Sequence, residues 1–172
     1  MDVLDRQLMF LGGSLLCAGI GSVTDVRERR IPNYVTGPAI AAGLMLHAIS
    51  GGWRGLGDAA LAGVIAGGMG AGDVKLMTAV GCFSGLSALP LVVISTAIAG
   101  AVFALAIGIY NRRLGETLRN VVDLIEHHGR HGLKPHPDLT LSNARTLRLP
   151  FALPIAAGCL YTLCTLAWEA RP

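Results

Sequence analysis

Residues 88–110 form an unbroken run of 23 residues without a charged side chain, and this run constrains the fold most. A helix needs about 20 apolar residues to cross the hydrocarbon core of a bilayer. Only 15% of the 172 residues are charged and 52% are hydrophobic, whereas a soluble domain carries about 25% charged residues. A chain this apolar cannot cover a water-facing exterior with polar side chains. The sequence therefore predicts an integral membrane protein.

Other apolar runs, separated by charged residues or by Gly and Pro, predict an all-α, polytopic membrane bundle with about five or six membrane segments. The runs cover residues 8–24, 34–50, 59–69, 75–85, 88–110 and 149–168. A turn is expected at residues 51–55, which contain three glycines. The run 59–69 has 11 residues, about half of a helical crossing. It is either a re-entrant segment or a span from which part is missing.

A polar segment, residues 111–148, precedes the last apolar run and carries seven Arg and Lys against four Asp and Glu. Apolar residues recur in its first part at helical spacing, which predicts an amphipathic helix on the membrane surface. Four histidines between residues 127 and 136 are interpreted as part of a solvated loop, because no carboxylate or Cys arrangement completes a metal site. We therefore expect one membrane-embedded domain, residues 1–172, with a polar cytoplasmic loop or amphipathic helix at about 111–148.

Basic residues predict the orientation. Arginines follow the run 8–24 and the run 88–110: Arg27, Arg29, Arg30, Arg112 and Arg113. Cytoplasmic loops carry an excess of such residues, so both junctions are expected in the cytoplasm and the N-terminus outside. If residues 59–69 cross or form a hairpin, Asp25 and Asp73 share the cytoplasmic face. Because the basic residues lie between apolar runs rather than on one polar surface, no nucleic-acid partner is predicted.

Asp25 and Asp73 are the residues that could carry chemistry, because a carboxylate near the hydrocarbon region is costly, by about 2.5–3.5 kcal/mol at a helix centre. Two carboxylates brought together share one proton. One can then activate a water as general base while the other donates to a scissile carbonyl, without a metal or other cofactor. The structural alternative is that Asp25 pairs with Arg27 or Arg29 and Asp73 with Lys75.

Each aspartate lies in a recognisable motif. Residues 25–33 read Asp-Val-Arg-Glu-Arg-Arg-Ile-Pro-Asn, residues 70–76 read Gly-Ala-Gly-Asp-Val-Lys-Leu, and residues 148–152 read Arg-Leu-Pro-Phe-Ala. These segments resemble the two aspartate motifs and the C-terminal segment of the type IV prepilin peptidase family of GxGD membrane aspartyl proteases. The resemblance implies that Asp25 and Asp73 are the catalytic pair. The glycines let the backbone bend, so we expect Gly70, Ala71 and Gly72 to form the active-site backbone. Lys75 is expected as a support residue that binds the substrate or tunes Asp73; the alternative is that its ammonium simply reaches the membrane interface.

The resemblance further implies a prepilin leader peptidase of the bacterial inner membrane. Such an enzyme removes the basic leader from a prepilin or pseudopilin at the cytoplasmic face, and its expected partners are the substrate, membrane lipid and the pilus-assembly machinery. The paired CxxC motifs of the larger bifunctional members do not occur here. The chain is therefore similar to the short, peptidase-only branch of Flp-type tight-adherence pili. The four cysteines lie in apolar runs and are predicted to be buried, inert thiols.

Two other functions stay open. Asp25 and Asp73 could relay protons or bind ions in a small transporter component, since intramembrane carboxylates often line such pathways. Alternatively, the chain could be a catalytically inactive scaffold in pilus assembly, a reading suggested by the short run 59–69.

Overall fold

A computed structural model describes residues 3–28, 31–67, 73–111, 115 and 151–169. These residues form four helices: α1 (Val3–Glu28), α2 (Asn33–Gly67), α3 (Val74–Tyr110) and α4 (Ala152–Glu169). All four are long and apolar enough to cross a membrane, and the described ranges contain no strand. The predicted all-α membrane class is confirmed, and the chain is an integral membrane protein.

The chain divides into two compact units, Met1–Gly100 with Pro150–Pro172, and Ala101–Leu149. In the second unit the structure describes the C-terminal part of α3, where the backbone N–H of Asn111 donates to the Ile107 carbonyl at 2.9 Å. The predicted amphipathic helix and the histidines of residues 127–136 lie outside the described residues. The site and the contacts that follow belong to the first unit.

The helix α2 folds back on itself at Gly52, whose φ of 59° and ψ of −144° are accessible almost only to glycine. A Cβ added at either Gly43 or Gly63 would meet Cys82 of α3. In a straight helix these two glycines, 20 residues apart, would be about 30 Å apart. The helix is therefore a hairpin, and both of its legs, residues 33–51 and 53–67, pack on the first part of α3.

The helix α3 turns back in the same way at Gly85, which has a φ of 66° and a ψ of 174°. Before this residue, Leu76 packs on Gly21 of α1. After it, Gly100 packs on the start of α4. The carbonyl of Ala152, the first residue of α4, accepts a hydrogen bond from Ser22 Oγ of α1 at 2.8 Å. Leu76 and Gly100 thus lie at one end of α1, although a straight helix would separate them by about 36 Å.

These two reversals explain why four helices are found where the sequence predicts five or six segments. The boundaries predicted at residues 51–55 and between 85 and 88 are single glycines inside α2 and α3, not separate loops. Within 51–55, only Gly52 leaves the helical conformation. The second leg of α2 therefore begins at residue 53 rather than at 59, and its small residues Ala59, Ala62 and Ala66 are fully buried.

Two polar side chains join the reversals together. The buried His47 donates from Nε2 to the Phe83 carbonyl at 2.9 Å, and its ring stacks on Phe10 with centroids 4.1 Å apart. Asp58 Oδ2 accepts a hydrogen bond from the backbone N–H of Leu86 at 3.2 Å. The first N–H groups after a helix break have no partner in their own helix, so Asp58 caps the second part of α3. We call the end of the bundle that holds His47, Asp58, Gly52 and Gly85 the turn end.

The core consists of apolar and small side chains from α1, the second leg of α2, both parts of α3 and α4. Its largest fully buried apolar members are Leu11, Leu76, Val80, Val92 and Ile155. Three of the four cysteines, Cys17, Cys82 and Cys159, are buried free thiols as predicted, but Cys164 is exposed. The prediction is wrong for Cys164 because an apolar run in a membrane helix does not distinguish a face that contacts protein from one that contacts lipid.

Candidate active site

Two helix ends position the predicted catalytic aspartates. Asp25 lies in the last part of α1, and Asp73 lies directly before α3; both are half-buried. The Asp73 carbonyl accepts a hydrogen bond from the backbone N–H of Met77 at 2.9 Å, so Asp73 occupies the N-cap position of α3. Asp73 therefore lies at the N-terminus of α3.

The two carboxyl groups are close enough to affect each other. Burial raises the pKa of Asp73, and the negative charge of Asp25 raises that pKa further. A like charge raises the pKa of a carboxyl group because it disfavours a second ionisation nearby. The structure therefore brings together the two residues that the sequence predicts as a pair, while their role in catalysis stays a prediction.

A glycine allows α1 and α3 to approach closely beside this pair. A Cβ added at Gly21 would lie 2.8 Å from Leu76 Cδ1, which is closer than two carbon atoms can pack. Gly21 precedes Asp25 by about one helical turn, and Leu76 follows Asp73 by three residues. The missing side chain at Gly21 thus lets the two helix ends bring their carboxylates together.

The predicted support residue Lys75 is linked to the start of α2. Its Nζ donates a hydrogen bond of 2.7 Å to Asn33 Oδ1, a contact between exposed side chains 42 residues apart. Asn33 is the first residue of α2, and the sequence alone predicts no role for it. Its position in the Ile-Pro-Asn part of the first motif is the signal that could have identified it.

Three predicted site residues, Gly70, Ala71 and Gly72, precede Asp73 and lie outside the described residues, as do Arg29 and Arg30 after α1. Their assignment as active-site backbone, and as residues that set the orientation, stays a prediction.

The aspartate pair and the turn end lie at opposite ends of α1. At the turn end, Arg6 Nη1 donates to the Ser50 carbonyl at 3.4 Å. Asp25 follows Arg6 by 19 residues, about 28 Å along a helix axis. This length is close to the thickness of the hydrocarbon core, about 30 Å. The pair is therefore at the level of one membrane interface if α1 crosses the bilayer.

Comparison with known proteins agrees with the motifs. Residues 10–105, more than half of the chain, match the type IV leader peptidase family. Two curated relatives from Aeromonas salmonicida, one of them from strain A449, are named prepilin leader peptidase/N-methyltransferase. Each is 32% identical over 101 residues, which cover 48% of this chain and 34% of the relative.

The chain thus matches about a third of the length of these relatives. No solved structure gives a significant match. The range matched by the family contains both Asp25 and Asp73, together with Asn33 and Lys75. The chain belongs to the type IV leader peptidase family.

Proposed function

We propose that the protein is a membrane aspartic endopeptidase that removes the basic leader from prepilin-like substrates at the cytoplasmic face of the bacterial inner membrane. The observation that carries this proposal is the pairing of Asp25 with Asp73, in which burial and the neighbouring charge raise the pKa of Asp73. Membership of the type IV leader peptidase family and the names of the curated relatives support the reaction class.

In this proposal the two aspartates take complementary roles. Asp73, whose pKa is raised by burial and by the charge of Asp25, is the general acid, and Asp25 is the general base. Asp25 takes a proton from a water molecule, whose oxygen attacks the scissile carbonyl carbon. Asp73 gives its proton to the carbonyl oxygen, which yields a neutral tetrahedral gem-diol.

The second step returns the pair to its starting state. Asp25 transfers its proton to the nitrogen of the leaving amine, and the C–N bond breaks. As the carbonyl forms again, one hydroxyl of the gem-diol returns a proton to Asp73. The reaction consumes one water and one peptide bond, and the pair again holds one proton.

The proposed substrate follows from the position of the pair at helix ends. A leader peptidase must reach the bond between a basic segment in water and an apolar helix in lipid, and water must reach the same place. The arginines after α1 favour a cytoplasmic location for this end. A substrate with a basic leader then keeps that leader in the cytoplasm. Prepilins and pseudopilins have this form, and membrane lipid and the pilus-assembly machinery are the partners expected around the reaction.

Co-expression with candidate prepilins tests the proposal, with leader removal followed by gel shift and mass spectrometry. We expect processing by the wild type, and none by Asp25→Asn or Asp73→Asn. Asp58→Asn is the matched control, because Asp58 belongs to the turn end and an asparagine oxygen can still accept from Leu86 N–H. Processing by either active-site variant would refute the aspartic mechanism. A wild type that processes no prepilin would favour the transporter or scaffold alternatives.

A further inference from the structure

We propose that Asn33 is a positioning residue that holds the Lys75 ammonium away from the aspartate pair. This inference rests on the proposed function, because it concerns the protonation state that the peptidase reaction requires. The motif at residues 25–33 would then contribute two side chains to the site: Asp25, and Asn33 as the uncharged hydrogen-bond acceptor for Lys75 of the motif at residues 70–76.

The geometry of Lys75 carries the inference. The ammonium donates to Asn33 Oδ1 at 2.7 Å, a short distance that is typical of a charge-assisted hydrogen bond. Lys75 is two residues from Asp73, and residues two apart at a helix do not face each other. The side chain is therefore directed toward the start of α2, whereas the neighbouring charge that acts on Asp73 comes from α1.

A lysine so close in sequence could otherwise reach the pair. Its four-carbon side chain is flexible and exposed, so little except the bond to Asn33 would fix the position of the ammonium. A positive charge within about 4–6 Å of a carboxyl group favours ionisation. At the aspartate pair it would promote loss of the shared proton, without which no acid remains to protonate the carbonyl oxygen.

Asparagine suits this role because it accepts a hydrogen bond without adding a charge beside the pair. The other described side chains at this end that can titrate or carry charge are on α1 and at the start of α2. They are Asp25, Arg27, Glu28 and Tyr34. Of the charged groups, only Lys75 has a described hydrogen bond to a neutral side chain that holds it in place.

Cleavage of a prepilin-like peptide by the purified full chain in liposomes, measured as a function of pH, tests the inference. In Asn33→Ala the ammonium is released, and we expect the alkaline limb of the profile to move down by about 0.5–1 pH unit, since solvent screens part of the effect. In the double variant Asn33→Ala/Lys75→Met the limb should return to the wild-type pH. Asn33→Asp keeps the acceptor, so its limb should not move below that of the wild type.

The inference would be overturned if the alkaline limb of Asn33→Ala lay at the same pH as that of the wild type. It would also be overturned if the limb of the double variant stayed at the lower pH of Asn33→Ala. A purely structural role for Asn33 would lower the rate or the thermal stability without moving the limb. If Asn33→Ala does not accumulate, Asn33→Ser serves the same purpose, because its shorter side chain cannot reach Lys75.

A second measurement does not depend on activity. Infrared titration of the carboxyl groups, with Asp73→Asn to assign the signal, should show Asp73 losing its proton at lower pH in Asn33→Ala than in the wild type. An unchanged titration contradicts the inference even if no prepilin is ever cleaved. Absence of cleavage by the wild type contradicts the proposed function instead, so the two failures can be distinguished.

Discussion

Replacing Gly85 with alanine should destabilise the protein strongly, because two separate costs meet at this residue. With a φ of 66° and a ψ of 174°, any residue other than glycine is strained by about 1–3 kcal/mol. The new Cβ would also lie 2.7 Å from Asp58 Oδ2 and 2.9 Å from His47 Cε1. If Asp58 moves aside, the N–H of Leu86 loses its acceptor, which costs about 1–3 kcal/mol more when the group is buried. The total is about 2–6 kcal/mol.

Two further glycines separate these costs. Gly52 also has a positive φ, 59°, but a Cβ added there meets no atom within 4 Å. Gly52→Ala should therefore lose only the strain, about 1–3 kcal/mol. Gly12 lies inside α1 with open space around it, and Gly12→Ala should gain about 0.5–1 kcal/mol because alanine favours a helix.

Thermal unfolding of the purified variants in one detergent, followed by circular dichroism, measures their order of stability. We expect Gly12→Ala to be the most stable, followed by the wild type, Gly52→Ala and Gly85→Ala. Gly85→Ala as stable as Gly52→Ala would show that Asp58 and His47 do not crowd this turn. Gly52→Ala as stable as the wild type would refute the reversal of α2 at Gly52.

Three further predictions concern the aspartate pair, its packing and the thiols. The pKa of Asp73 is raised in the folded protein, so the folded state binds the Asp73 proton more tightly than the unfolded state does. The stability that comes from this proton is fully present below pH 3.8, the ordinary pKa, and is lost as pH rises through the raised pKa. Asp73→Asn should therefore match the wild type in thermal stability below pH 3.8 and exceed it near neutrality; an excess that is the same at both pH values would contradict this. Gly21→Val inserts methyl groups against Leu76 and should cost about 1–3 kcal/mol and most of the peptidase activity, whereas Gly12→Val should keep its activity. A small maleimide should label Cys164 in detergent well before the three buried cysteines, as mass spectrometry of the labelled peptides would show; equal labelling of all four would be inconsistent with the packing.

The sequence was sufficient to predict features that depend on local composition. Uncharged runs of membrane length indicate an all-α membrane protein, because a helix of that length spans the hydrocarbon core of a bilayer. The glycines near residues 52 and 85 mark where the apolar pattern is interrupted, and both positions are reversals in the structure. The proximity of Asp25 and Asp73 follows from topology, since the two legs of α2 run away from and back to the same end between them.

Features that depend on contacts between distant residues could not be predicted. Asp58 caps Leu86 across 28 residues, and His47 binds the Phe83 carbonyl across 36. No local pattern predicts either partner. Contacts between distant residues also explain why the second leg of α2 begins at residue 53 and not at residue 59 as predicted. Residues 53–58 contain Arg54, Asp58 and two glycines, a composition typical of a turn, but packing of that leg on α3 outweighs local propensity.

The central claim is that Asp25 and Asp73 act together as an aspartic peptidase. Its most direct test is the cleavage rate of the purified protein in liposomes, measured against pH with a peptide in which a basic leader precedes an apolar helix. We expect a bell-shaped profile for the wild type and for Asp58→Asn, with rates at the uncatalysed background for Asp25→Asn and for Asp73→Asn. A rate near that of the wild type in either active-site variant would contradict the claim.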